Sequence, residues 1–201
     1  MIELGSSRLA GLPDAGLVAA PLVWLSGWVI MRLGGASGPN AGWDVAHALW
    51  IVGFALFGAA AYALSRLVGR SLVGRVALVV ALIGAATLVV QMVIDLVVGL
   101  CAVDKPAMDD LYDKVFAAPG VELVFFTVGP ILLFVGLLAL MILAALRRTA
   151  NAWQALLVLL GIALMVVGRP ADGALRLLEG VGAVCLWLAL APLARRPEPN
   201  R

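Results

Sequence analysis

Seven side chains in this sequence are of types that can bind an ion or move a proton, and all fall in or at the edge of apolar runs. Asp44 and His47 are three residues apart, Gln91 and Asp95 four, and Arg176 and Glu179 three, while Glu122 opens a further run. Spacings of three and four place side chains one above the other on a helix. A carboxylate inside a membrane span commonly marks an ion or proton pathway. Held in a low-dielectric site, a carboxylic acid can also serve as a general acid or base. Arg176 is in addition four residues from Asp172, so ion pairs within one helix are open to it on both sides.

The chain around these groups decides what could position them. It is 64% hydrophobic and 13% charged, with a mean hydropathy of +1.09, where a soluble domain is nearer one-quarter charged. The apolar runs are long and continuous rather than short and alternating, which indicates helices and not a transmembrane β-barrel. The expected fold is therefore all-α: one integral membrane domain over residues 1–201, a polytopic bundle of six spans. The spans fall at about 15–33, 45–67, 74–100, 120–146, 152–168 and 173–194. The fifth is short for a crossing. The polar N-terminal stretch is not strongly basic, and the run after it is long enough to span, so the first span is expected to act as its own insertion signal.

Arginine and lysine set the orientation. With the N-terminus in the cytoplasm, nine of the 14 lie inside (Arg8, Arg66, Arg70, Arg75, Arg147, Arg148, Arg195, Arg196 and Arg201) and five outside (Arg32, Lys105, Lys114, Arg169 and Arg176). Both termini are thus expected to be cytoplasmic, in a multi-pass protein of a bacterial-type plasma (inner) membrane.

At 100° per residue, Gly84, Thr87, Gln91, Asp95 and Gly99 share an arc of about 120° on the third span. Small and polar residues favour the bundle interior over lipid. Asp44, His47, Gly58, Tyr62 and Ser65 share a narrower arc on the second span. Asp172, Arg176, Glu179 and Ala183 do so on the sixth, and Glu122, Gly129 and Gly136 on the fourth, where Pro130 should kink the helix. Asp95 falls roughly 7 Å below the end of its span, and Glu179 about two turns below the start of its own. The seven residues Asp44, His47, Gln91, Asp95, Glu122, Arg176 and Glu179 are therefore expected to converge on a pocket in the outer half, with Arg176 as the resting partner of Asp95.

Trp24, Trp28 and Arg32 align near the outer end of the first span and fit an interfacial aromatic belt. In the third connection Met108, Leu111, Tyr112, Val115 and Phe116 recur at helical spacing. Pro106 opens and Pro119-Gly120 closes that stretch, which reads as a short amphipathic helix lying on the outer surface, a connector or a lid.

Several function classes are excluded or unsupported. A net charge of +2 with scattered arginines does not suit nucleic acid. No phosphate loop, nucleophile elbow or zincin pattern is present, so neither a cofactor nor a metal is implied and no catalytic residue can be assigned. Cys101 and Cys185 lie at different depths and are not expected to pair. The reading that follows is a protein with an outward-facing intramembrane polar pocket, binding or translocating a cation, a proton or a small amphiphilic molecule. The alternatives are a membrane-embedded enzyme using buried carboxylates on a lipid-phase substrate such as a prenyl chain, and a structural or accessory subunit of a membrane complex. Expected partners are the bilayer, a small-molecule or ion ligand, and a membrane protein or second copy.

Overall fold

The computed structural model describes residues 12–33, 38–170 and 173–195, and these are helical with no strand among them. Asp172 and the terminal Arg8, Arg196 and Arg201 lie outside the described residues. The helices are α1 (Leu12–Leu33), α2 (Ala41–Val68), α3 (Leu72–Cys101), α4 (Lys105–Phe116), α5 (Gly129–Leu146), α6 (Ala152–Gly168) and α7 (Leu177–Leu190). A π-helical stretch, Glu122–Val128, leads into α5, and short 3-10 turns flank α7.

Side chains fix where several of these helices begin. Asn40, Ser71 and Asp104 each accept a hydrogen bond from the backbone N–H three residues on, at Trp43, Gly74 and Ala107. Pro106 follows in the first turn of α4, where its missing N–H leaves no gap in the ladder. Ahead of α6 the Asn151 backbone N–H donates to Gln154 Oε1 at 2.9 Å. Gln154 then donates to the Ala189 carbonyl at 2.8 Å, tying α6 to α7.

Five helical stretches are long and apolar enough to cross a membrane: Pro13–Arg32, Ala41–Val68, Leu72–Cys101, Glu122–Leu146 and Gly173–Ala194. The fifth expected segment forms a helix, α6, but at 17 residues it falls short of the length of the five crossing stretches. Neighbours pack in chain order, α1 on α2, α2 on α3, α3 on α5, α5 on α6 and α6 on α7, and α7 returns to α1. The ring is filled by Phe57, Leu64, Leu88, Leu133, Leu137, Leu140, Met141 and Leu186, all fully buried. Its outside carries exposed Val76, Val79, Ile83, Ile131, Val135, Leu156 and Leu159. Such a surface is stable only where the solvent is itself apolar, and the chain is accordingly a membrane-embedded protein.

The expected kink at Pro130 takes a different form. The ring of Pro130 would strike the carbonyl of Phe126, and its nitrogen has no proton to donate. The chain avoids both by widening into the π stretch just before it, so that Gly129 N–H reaches back to Val124 O, five residues away.

The small-residue stripe on α3 faces inward as expected. A methyl group on Gly84 would overlap the backbone nitrogen of Leu133 on α5, and one on Gly136 would overlap the backbone of Ala81. Two backbones in such contact gain dispersion energy that lipid cannot supply. Gly84→Ala is expected to lower stability by about 1–3 kcal/mol through overpacking. The lipid-facing Ile83→Ala should stay within about 0.5 kcal/mol of the parent. Equilibrium unfolding in mixed micelles measures both, and equal values for the two variants would contradict the α3–α5 contact.

Candidate functional site

The polar side chains of α1, α2, α3, α4 and α7 collect at the end of the bundle where α1 finishes and α2 starts. They form two clusters rather than one pocket. The first is centred on Asp95, which is 6% exposed. Tyr112 of α4 donates to Asp95 Oδ1 at 2.8 Å, and His47 Nε2 lies 3.9 Å from Oδ2. Trp43 donates its indole N–H to the Asp95 backbone carbonyl at 3.0 Å. Gly99 makes room for that indole, since a methyl there would collide with the Trp43 ring.

His47 Nδ1 is 2.8 Å from the Trp43 carbonyl. A carbonyl only accepts, so Nδ1 carries a proton and Nε2 is the titrating nitrogen turned towards Asp95. The 3.9 Å gap is too wide for a hydrogen bond. The pair can therefore exist as imidazolium and carboxylate or as imidazole and carboxylic acid. Burial, followed by the charge of Asp95, raises the Tyr112 phenol above its ordinary range and keeps it a donor. Met108 is buried beside it in sequence, and Tyr112 stacks on Phe116, so the apolar face of α4 covers the Asp95 cluster.

The second cluster surrounds Glu179, also 6% exposed. Trp28 donates to Glu179 Oε2 at 2.7 Å, and Arg32 Nε lies 3.5 Å from the same oxygen. Arg32 also reaches the Arg169 carbonyl at 3.4 Å. An interfacial belt does not describe these residues: Trp24 and Trp28 are 6% and 4% exposed and face the interior. The reason is that Glu179, once buried, needs donors, and α1 supplies them. Between the clusters runs an aromatic ladder, with His47 edge-on to Trp50 and Trp50 stacked on Trp24.

The seven expected residues divide as follows. His47 and Asp95 come together, and Gln91 is buried one turn below with its Oε1 unpartnered. Asp44 is half-buried and also keeps one buried oxygen, Oδ1, without a partner. Glu179 belongs to the second cluster. Arg176 is half-buried on the 3-10 turn before α7, and the side-chain partners of Asp95 are Tyr112 and His47, not the arginine expected. Glu122 is exposed at the start of the π stretch, outside both clusters, where a helix N-terminus favours an acid without any site. Among the described residues no three His, Cys, Asp or Glu side chains gather as metal ligands.

Beside the Glu179 cluster lies a cavity of about 640 Å³. Its wall is Phe126, Ile131, Phe134 and Val135 from the fourth span and Ile162, Met165 and Val166 from α6, with Trp24, Phe54 and Leu88 as its floor. Arg169, Pro170 and Glu179 form its polar rim. Exposed Ile131, Val135 and Val166 flank its opening between α5 and α6. Tyr112 carried a signal in the sequence, as the one polar residue on the apolar face of α4. The cavity did not, because its lining comes from six helices.

Tyr112→Phe leaves Asp95 Oδ1 buried without its donor, a loss of about 1–3 kcal/mol. The cost should appear as loosening of α4, so that trypsin cuts after Lys114 several-fold faster than in the parent. An unchanged cleavage rate would mean that Tyr112 does not hold α4 in place. The chain matches no protein-family model, no curated protein and no solved structure, so the role of this site follows from its own geometry.

Proposed function

We propose that this is a six-span protein of the plasma (inner) membrane, with both termini cytoplasmic, that binds a small anionic amphiphile in the cavity between α5 and α6. The arginine bias supports the orientation, which puts the two clusters and the cavity rim on the outer side. The observation that carries the binding reading is the cavity itself. Its volume of about 640 Å³ lies in the range of pockets for small organic ligands. Its wall is aliphatic and aromatic, and its charged groups stand only at the rim. That division suits a molecule with one apolar part and one polar head.

Charge at the rim fixes the sign of the head. Glu179 is engaged by Trp28 and Arg32, so its negative charge is already balanced. Arg169 is exposed, and its guanidinium makes no ion pair within 4 Å among the described residues, although its charge is felt at Asp95. Arg32, Arg169 and Glu179 together leave one positive charge. A single carboxylate neutralises it, and the guanidinium fork matches a carboxylate in two bonds. The Asp95 cluster serves a different purpose in this reading. Asp95 does not line the cavity, and its partners are all internal, so it holds α2, α3 and α4 together at the outer end.

A fluorescent long-chain carboxylate is expected to bind the protein saturably in nanodiscs. Arg169→Gln should weaken it about 5- to 10-fold, below the range for a charged hydrogen bond because Arg169 is exposed and solvent screens it. Ile131→Trp, which fills the opening, should abolish binding, while Ile83→Ala on the lipid-facing side of α3 should leave the affinity unchanged. Absence of saturable binding for carboxylate and quaternary-ammonium probes alike would sink the reading. A preference for the ammonium probe would overturn the assigned head group.

A further inference from the structure

The opposite end of the bundle carries a second cavity, of about 660 Å³, enclosed by α1, α2 and the start of α3. Arg66, Arg70 and Arg75 line it together with Asp14, Tyr62 and Ser65. Arg66 is 3.4 Å from Asp14 and so offsets that carboxylate. Arg70 and Arg75 are both exposed and bring two further positive charges to the same space. Along the outside of α2 and α3 runs a separate apolar groove lined by Ala55, Gly58, Ala59, Leu82, Ala86 and Val90. Tyr62 lines both the cavity and the groove, so the two meet at its side chain. From Leu82 to Val90 the groove extends about 12 Å along α3.

A cationic chamber at a helix end that opens onto an apolar channel of this length has the two chemistries of a phospholipid in the right order. We infer that this end of the protein binds an anionic phospholipid from the surrounding leaflet, its phosphate between Arg70 and Arg75 and one acyl chain in the groove past Tyr62. Basic pockets between membrane helices take anionic head groups by this arrangement. Arginine suits the task better than lysine, because its planar donors meet two phosphate oxygens at once. The site is independent of the cavity at the other end and shares no lining residue with it.

The test is native mass spectrometry of the full chain released from nanodiscs of phosphatidylglycerol mixed equally with phosphatidylcholine. The parent should retain one phosphatidylglycerol at least 5-fold more often than phosphatidylcholine. The double variant Arg70→Gln/Arg75→Gln should lose that preference. A control on the α5–α6 connection, Arg148→Gln, should keep it, whereas Arg70→Gln alone should reduce it, and the contrast excludes a general attraction of the basic end. Ala86→Phe narrows the groove and should reduce retention with the arginines intact. Equal retention of the two lipids by the parent, or an unchanged preference in the Arg70/Arg75 variant, would overturn the inference. Displacement of the lipid by millimolar glycerol phosphate would reassign the chamber to a soluble phosphate.

Discussion

Asp95 and Glu179 are carboxylates inside apolar helices, and lipid offers neither a hydrogen bond nor a counter-ion. Each must draw its donors from another helix, and the positions of those donors organise the outer end of the bundle. Glu179 takes a tryptophan and an arginine from α1. That contact joins the first span to the last and closes the ring of helices on itself. Asp95 takes a tyrosine from α4 and faces a histidine on α2. That contact brings a helix that does not cross the membrane down onto the end of α3. The balance differs between them. The Glu179 cluster contains a permanent cation, whereas the Asp95 cluster contains only a histidine that can be neutral, so the proton count there is adjustable.

The fourth span shows how a local backbone constraint shapes a binding wall. Pro130 costs an ordinary helix a hydrogen bond over the preceding turn, and a π stretch there widens the helix from Glu122 to Val128. Phe126 sits within that stretch. One side of its ring meets Phe116 of α4 edge-on, with centroids 5.0 Å apart, and the residue also lines the outer cavity. The cover over Asp95 and the wall of the cavity therefore share a side chain. The aromatic ladder from His47 through Trp50 to Trp24 makes a second route between the same two places.

The helices were legible in the sequence because lipid imposes length and composition on anything that crosses it. The expected span 74–100 is the helix Leu72–Cys101, and 45–67 is Ala41–Val68. Inward facing of the α3 stripe was legible for the same reason, since Gly84, Gln91, Asp95 and Gly99 are all buried. Partner choice was not. Periodicity says which way Asp95 points but not which helix stands opposite, so Tyr112 could not be preferred to Arg176. Trp28 and Arg32 were misread because tryptophan and arginine near a helix end fit an interface as well as they fit a buried carboxylate. Only the ring order, with α7 against α1, separates the two.

The short fifth segment, α6, bears on the same features. α2 and α3, at 28 and 30 residues, extend about 42 and 45 Å, well beyond a hydrocarbon core of about 30 Å. Asp44, His47 and Asp95 lie near the ends of these long helices, where an ionisable group in a bilayer is less costly than at the midplane. α6 has 17 residues and extends only about 26 Å. The residue that follows it, Arg169, has its backbone carbonyl fastened by Arg32, the same side chain that balances Glu179. Arg169 thus stands on the rim of the apolar cavity beside a carboxylate that is already engaged.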